Sequence, residues 1–362
     1  MARGRVLLVD DSVVIRKVIA ELLASDPSVE SVATASNGRI ALDKLAHVNP
    51  NLVVLDVEMP ELDGIATLKQ LRLRAPDLPV LMFSGLTERA GVLTLEALSL
   101  GASDYVTKPT TVGTIVPVER VRDELLAKTR ALLRVSRDAV FAAPSIATPS
   151  LREEVVPVEL LAIGASTGGP NALAAIIAEL PGDLPVPVVI AQHMPPLFTK
   201  LFAERLHAQS SLRVREGAMG ERLRPGEVWV APGNFHMAVM RDADGLVLYV
   251  HQGLPENSCR PAVDVLFRSV ADACGPHALG VVLTGMGTDG LRGSEHIRAA
   301  GGHIVVQDEA SSVVWSMPGA VAMAGLADEV VSVDHMAAVL LRQIQRGRGE
   351  VGQRRGAGGA SR

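Results

Sequence analysis

Short apolar runs recur along this chain at intervals that leave room for one helix between each pair, and they do so in two successive series. The first comprises Val6–Val9, Ser31–Ala35, Leu52–Leu55, Val80–Phe83 and Asp104–Thr107. The second comprises Glu159–Ile163, Val186–Gln192, Glu227–Ala231, Leu246–His251, Ala278–Leu283, His303–Gln307 and Val330–Val333. Strands joined through helices must run parallel, with helices covering both faces of the sheet. Each series therefore predicts an α/β domain whose chemistry gathers at the carboxyl edge of its strands. In the second series, Asn234 to His251 reads instead as an antiparallel hairpin with Asp244-Gly245 at its turn.

The 362 residues suffice for two domains with separate cores. Aromatic residues are only 3% of the chain, so those cores must be packed from Ala, Val, Leu and Ile. Two cysteines, Cys259 and Cys274, are too few for a disulfide framework. They point to a reducing cytoplasm and read as small buried residues. The apolar run after the basic N-terminus is too short for a signal segment, and nothing approaches a membrane span. A net charge of −5 argues against general nucleic-acid affinity and favours a protein or small-molecule partner.

In the first series, charged and hydroxyl residues fall at successive strand ends. Asp10 and Asp11 follow the first strand, Asp56 ends the third, Ser84 the fourth, and Lys108 follows the fifth. Carboxylates gathered on one edge repel unless a cation neutralises them, and a hard oxygen-liganded ion such as Mg²⁺ suits them. Asp56 is then placed to accept a phosphoryl group, which Lys108 can pair with and Ser84 can hydrogen-bond. The runs VLLVDDS (Val6–Ser12), LDVEMPELDG (Leu55–Gly64), FSG (Phe83–Gly85) and GASDYVTKP (Gly101–Pro109) resemble the receiver domain of two-component response regulators. The resemblance implies a flavodoxin-like five-stranded parallel sheet in the order 2-1-3-4-5. It also implies metal carboxylates at Asp10, Asp11 and Asp56, phosphorylation at Asp56, a phosphate-sensing lysine at Lys108, and switch residues at Ser84 and Tyr105. A tyrosine at a strand end is equally read as edge packing.

The second series opens on LLAIGASTGGPNALAA (Leu160–Ala175), a strand, a sharp glycine turn and a helix, with Ser166 at the apex. Gly164 and Gly168 frame it in the G-x-S-x-G spacing that lifts a nucleophilic hydroxyl clear of a sheet, and the Thr167 N–H is a natural oxyanion donor. Such turns also cradle phosphates, but the full G-x-G-x-x-G and the Walker lysine are missing. A serine nucleophile needs a base and a group that orients the base. The strand ending at Gln192 delivers His193, and the strand ending at Leu283 runs into a glycine-rich loop presenting Asp289, with the Met286 N–H as a second oxyanion donor. His207, His236, His251, His277 and His296 lie in helices, turns or the hairpin, where structural roles are the default. The order Ser, His, Asp differs from that of the α/β-hydrolases, so the elbow spacing is not membership of that fold.

GASTGGP (Gly164–Pro170), QHMP (Gln192–Pro195), APG with HM (Ala231–Gly233, His236-Met237) and LTGMGTDG (Leu283–Gly290) resemble the catalytic domain of the chemotaxis protein-glutamate methylesterases, the CheB family. The order receiver, linker, esterase also matches that family. The resemblance implies residues 1–134 as receiver and 158–346 as a doubly wound methylesterase domain; between them 135–157, with Pro144, Pro149 and Pro157, loses periodicity and reads as a linker, and the Gly/Arg-rich tail 347–362 cannot build a core and is expected to be disordered. The resemblance also implies Ser166 as nucleophile, His193 as general base, Asp289 as its orienter, and Thr167 and Met286 as oxyanion donors, with no cofactor for the ester chemistry. A neutral His193 with an ordinary pKa of about 6.5 would serve as base at cytoplasmic pH. The expected substrates are glutamate methyl esters on chemoreceptors, with receptor glutamine deamidation as a second reaction, in chemotaxis adaptation. The expected phosphodonor is a chemotaxis histidine kinase, and the unphosphorylated receiver is expected to cover the esterase site. A signalling adaptor with an inert second domain is the rival reading.

Overall fold

The computed structural model describes residues 3–108, 118–135 and 156–357. The chain divides into two compact units, Met1–Ala142 and Ala143–Arg362. The expected linker falls almost wholly outside the described residues.

The first unit runs β1 (Gly4–Val9), α1 (Val13–Ala24), β2 (Val29–Ala35), α2 (Gly38–Val48), β3 (Leu52–Asp56), α3 (Gly64–Arg74), β4 (Val80–Ser84), α4 (Glu88–Ser99), β5 (Asp104–Thr107) and α5 (Val118–Val135). Its five strands are all parallel in the order β2-β1-β3-β4-β5. β1, β3 and β4 are covered on both faces, which is why they read as continuous apolar runs rather than alternating ones. At the carboxyl edge each of the first four strands gives way to a capped helix: Ser12, Asn37, Asp63 and Thr87 each accept a hydrogen bond from a backbone N–H of the first turn. Each such cap contributes about 1 kcal/mol and fixes where the edge loop ends.

In the second unit the order is β6 (Leu160–Ala165), α6 (Gly169–Glu179), β7 (Val188–Gln192), α7 (Phe198–Gln209), β8 (Arg213–Glu216), β9 (Glu227–Val230), β10 (His236–Asp242), β11 (Gly245–His251), α8 (Val263–Cys274), β12 (Ala278–Val282), α9 (Leu291–Ala299), β13 (His303–Gln307), α10 (Ser316–Met323), β14 (Glu329–Val331) and α11 (Val333–Ala357). Seven strands form a parallel sheet, β14-β13-β12-β6-β7-β9-β8. The chain enters at the centre and winds outward through β7, then returns to β12 beside β6 and winds the other way. The boundary between β6 and β12 is therefore the topological switch point, where the edge opens into a crevice.

The edge strand β8 was not foreseen, because Arg213-Val214-Arg215-Glu216 offers one buried apolar residue among charges. The hairpin was foreseen, but Asp242 pairs with Gly245, so its two-residue turn is Ala243-Asp244 rather than Asp244-Gly245. α11 continues to Ala357, past the Gly347 boundary of the expected structureless tail. Propagation from the nucleated helix and the helix formers Arg348, Glu350, Gln353, Arg354 and Arg355 carry it through four glycines, at 347, 349, 352 and 356, each costing about 1 kcal/mol. Residues 358–362 of that tail lie outside the described residues.

The hairpin is a separate two-stranded sheet that presses α8 against the main sheet. Met237, Val239, Leu246 and Leu248 join Val263, Leu266, Phe267 and Val270 in one buried cluster with Trp229. The approach of α8 to β6 requires glycine. A Cβ on Gly164 would lie 2.2 Å from Val263 Cγ1 and 2.8 Å from Cγ2. We expect Gly164→Ala to cost about 1–3 kcal/mol through overpacking. Combined with Val263→Ala it should cost clearly less than the sum of the two single substitutions in denaturant titrations. Simple additivity would show that the close approach carries no strain.

Candidate active site

Three neighbouring strands deliver the predicted residues to one place. Ser166 follows β6, and its N–H donates to the Thr284 carbonyl beyond β12 at 3.0 Å. On the other side, the His193 N–H beyond β7 donates to the Ala165 carbonyl at 3.1 Å. The half-buried Ser166 thus sits between the loop bearing Asp289 and the residue His193. Gly168 turns the chain into α6 at φ 78°, and a Cβ there would stand 2.6 Å from the Val313 side chain, so the position demands glycine twice over. The Thr167 and Met286 N–H groups find no acceptor among the described residues, which leaves both free to donate to a ligand.

His193 Nε2 lies 2.7 Å from Asp289 Oδ2. A carboxylate only accepts, so the intervening proton belongs to Nε2, and Nδ1 is the nitrogen left for proton exchange. Nδ1 faces Cys259 Sγ at 3.5 Å, and no hydrogen bond joins it to Ser166 among the described residues. Asp289 is buried but far from isolated. Its Oδ2 also accepts from the Val263 N–H at 2.7 Å, and its Oδ1 accepts from Asp264 N–H at 2.9 Å, Gly290 N–H at 3.1 Å and Asn257 Nδ2 at 2.9 Å. Val263 and Asp264 are the first residues of α8, whose own N-cap, Ala262, has no side chain able to cap. Asp289 therefore caps α8 from a distant loop, where the helix dipole favours its negative charge.

These contacts set the protonation states. Burial opposes the Asp289 charge, but the hydrogen bond and charge of His193 and the α8 N–H groups outweigh it and hold the carboxyl below its usual range. Burial likewise opposes a charged His193, yet its bonds to Asp289 and Cys259 prevail and push it up to about 10. The expectation of an ordinary imidazole is thus corrected: a buried counter-ion stabilises the protonated ring.

At the edge of the first unit, oxygens of Asp10, Asp11 and Asp56 lie within 4.8 Å of one another. Lys108 Nζ reaches Asp56 Oδ2 at 2.7 Å and Asp10 Oδ2 at 2.9 Å. Burial, only partly offset by Lys108, raises Asp56 to about 6. Three clustered carboxylates, two buried and Asp11 exposed, form an all-oxygen donor set that can hold a hard divalent cation. Ser84 ends β4 as expected, but its hydroxyl accepts from Thr94 Oγ1 at 2.6 Å and lies 3.3 Å from the Ala90 carbonyl, turned into α4. Tyr105 is buried, with the Lys128 ammonium 5.1 Å from its ring centroid.

Comparison with known proteins places both units. The family described as CheB methylesterase matches residues 161–340, and that described as response regulator receiver domain matches residues 6–118. A protein-glutamate methylesterase/protein-glutamine glutaminase of Trichodesmium erythraeum is 46% identical over 351 residues, spanning 95% of this chain and all of the relative. One from a Nocardioides species is 49% identical over 355 residues, spanning 95% of this chain and 96% of the relative. The chain belongs to the CheB family. Among solved structures, the CheB methylesterase catalytic domain of Thermotoga maritima is 37% identical with a TM-score of 0.51, covering 52% of this chain and 99% of that one.

Several further residues complete the site without a local signal in the sequence. Gln192, noted only as part of a motif, donates from Nε2 to the Ser166 carbonyl at 3.0 Å and the His193 carbonyl at 3.1 Å, tying the two loops together. Cys274 is buried as expected, whereas Cys259 is half-buried against His193. Asn257 and Asp264 meet Asp289 from 32 and 25 residues away, spacings with no periodic signal. His236, a rival histidine, receives the Ala262 N–H at 3.3 Å and faces the Leu254 carbonyl at 3.0 Å, a structural role.

The raised His193 pKa has a consequence for stability. The folded ring holds its proton more tightly than the unfolded one, so its contribution is complete below pH 6.5 and is lost as the pH rises through about 10. The stability difference between the unaltered chain and His193→Gln should therefore narrow across that window in denaturant titrations. A constant difference would contradict the ion pair.

Proposed function

We propose that the chain hydrolyses glutamate methyl esters on chemoreceptors through Ser166, His193 and Asp289, under control of phosphorylation at Asp56, in chemotaxis adaptation. The relatives that match over nearly the whole chain carry the names of protein-glutamate methylesterases and glutaminases, and the chain is a hydrolase of this kind. The observation that carries the residue assignment is the meeting of a serine, a histidine and a histidine-bound aspartate at the carboxyl ends of adjacent strands.

In this reading Ser166 Oγ attacks the ester carbonyl while His193 Nδ1 takes its proton. The Thr167 and Met286 N–H groups receive the negative charge that develops on the carbonyl oxygen. His193 then returns the proton to the departing methoxide, so methanol leaves. Water, deprotonated by the same nitrogen, releases glutamate from the acyl-serine. Asp289 holds Nε2–H and stabilises the imidazolium at each transfer. The same acyl intermediate would follow from a glutamine side chain with ammonia as leaving group, in keeping with the second half of the relatives' names. No cofactor enters the ester chemistry.

For the first unit we propose that Asp10, Asp11 and Asp56 hold Mg²⁺. The bound ion would screen the incoming phosphoryl group from the carboxylates. Asp56 then takes the phosphoryl group from a chemotaxis histidine kinase, and Lys108 moves its charge from the carboxylates to the phosphoryl oxygens. Ser84 must turn its hydroxyl away from Ala90 to donate to them, with Tyr105 following as the switch aromatic. Among the described residues no helix is long and apolar enough to cross a membrane, and we propose a cytoplasmic enzyme acting on the cytoplasmic face of its receptors.

Methanol release from methylated receptor membranes tests this directly. Ser166→Ala should lower it by about a thousandfold or more. A small phosphodonor with Mg²⁺ should raise it in the unaltered chain and leave Asp56→Asn unchanged. Full activity in Ser166→Ala would sink the assignment of the nucleophile, and equal stimulation of both chains would sink the control by Asp56. Because His193 must shed a proton whose pKa is raised to about 10, kcat/KM should climb with pH well beyond 6.5. A plateau already reached at pH 7 would argue for an unperturbed base.

A further inference from the structure

Asp289 has a second acid beside it. Asp264, in the first turn of α8, is also buried, and its Oδ1 accepts from the Gly290 N–H at 2.9 Å and the Gly293 N–H at 2.7 Å. The two carboxylates thus cap each other's helices: Asp289, just before α9, serves α8, and Asp264, within α8, serves α9. Two buried like charges so placed tend to share one proton, and whichever takes it loses its value as a counter-ion. His193 needs that counter-ion on Asp289.

One side chain stands between them. Asn257 Nδ2 donates to Asp289 Oδ1 at 2.9 Å and to Asp264 Oδ2 at 2.9 Å. With carboxylates on both sides only the NH₂ end of the amide can face them, and both of its hydrogens are used. Asn257 reaches this position from a strained turn. Its φ is 51° and that of Ser258 is 61°, two successive non-glycine residues in the left-handed region. Paired backbone bonds between Glu256 and Cys259, at 3.1 and 2.8 Å, close the turn. Glu256 is clamped in turn by a bidentate pair to Arg268 of α8, both contacts at 2.6 Å. From the other end of the same turn Cys259 meets His193.

We infer that Asn257 is a positioning residue for the His–Asp pair: its amide pins Asp289 Oδ1 and separates it from Asp264, so that Oδ2 stays charged and aimed at His193 Nε2. This rests on the functional reading above. Among the described residues the Asn257 side chain bonds Asp264 and Asp289 and makes no hydrogen bond to Ser166, so its effect is expected in turnover rather than in substrate binding.

Asn257→Gly and Asn257→Asp both tolerate the left-handed backbone and preserve the turn, but neither supplies the amide's two N–H donors. In the full-length chain, kcat for methyl-ester hydrolysis should fall about 10–100-fold in both, the scale of a misaligned catalytic group, with KM within about twofold of the unaltered value. An activity-independent measurement accompanies it. The exchangeable His193 Nε2–H proton, assigned by its loss in His193→Gln, should appear far downfield in the unaltered chain and shift or broaden in both variants. Unchanged kcat in either variant, a rise in KM in place of the fall in kcat, or an unmoved Nε2–H resonance overturns the inference. If the unaltered chain releases no methanol, the esterase reading fails, while the proton resonance still decides whether Asn257 positions the pair.

Discussion

The buried carboxylate of Asp289 is the point at which the architecture and the chemistry of the second unit meet. Five donors converge on its two oxygens: His193, Asn257 and the N–H groups of Val263, Asp264 and Gly290. A charge so far from water survives only where the fold supplies such a shell. The shell depends on α8 lying close against β6, which Gly164 permits and the hairpin β10–β11 enforces from outside. Packing remote from Ser166 is thereby tied to the basicity of His193.

The first unit treats its buried acids differently. Asp10 and Asp56 each accept one backbone N–H, from Ser12 and Glu58, but what they share is the ammonium of Lys108. An ammonium on a flexible stem can be redirected, whereas backbone donors cannot. In the proposed function, a carboxylate that gains and loses a phosphoryl group suits the movable partner, and one that holds a histidine through turnover suits the fixed one.

Much of this was legible in the linear chain. β6, β7 and β12 announce themselves as apolar runs cut short by Gly164, His193 and Thr284-Gly285, and parallel strands must end on one edge. The alternation alone puts Ser166 and His193 on one unit's edge, and Asp10, Asp56 and Lys108 on the other's; Asp289, in an ordinary Asp-Gly turn, is singled out by the motif it shares with the family. β8 was invisible because an edge strand needs to bury only Val214. The hairpin turn was misplaced by one residue because either Ala243-Asp244 or Asp244-Gly245 can make a tight turn, and only the pairing of Asp242 with Gly245 decides. Asn257, Cys259 and Asp264 carry no local signal, since an asparagine or a cysteine in a loop is ordinary until a buried acid or an imidazole stands beside it.

Taken alone, the sequence determined the two α/β units, the edge on which each gathers its reactive groups and the chemical kinds of those groups. Tertiary structure decided their states: His193 pushed toward its cation, Asp289 kept an anion, Asp56 raised to about 6 and the Ser84 hydroxyl turned into α4. The physical reason is that strand periodicity and glycine turns are local, written within a few residues. The energy of a charge depends on which donors and acids lie within a few ångströms in space, and those come from segments that only folding brings together.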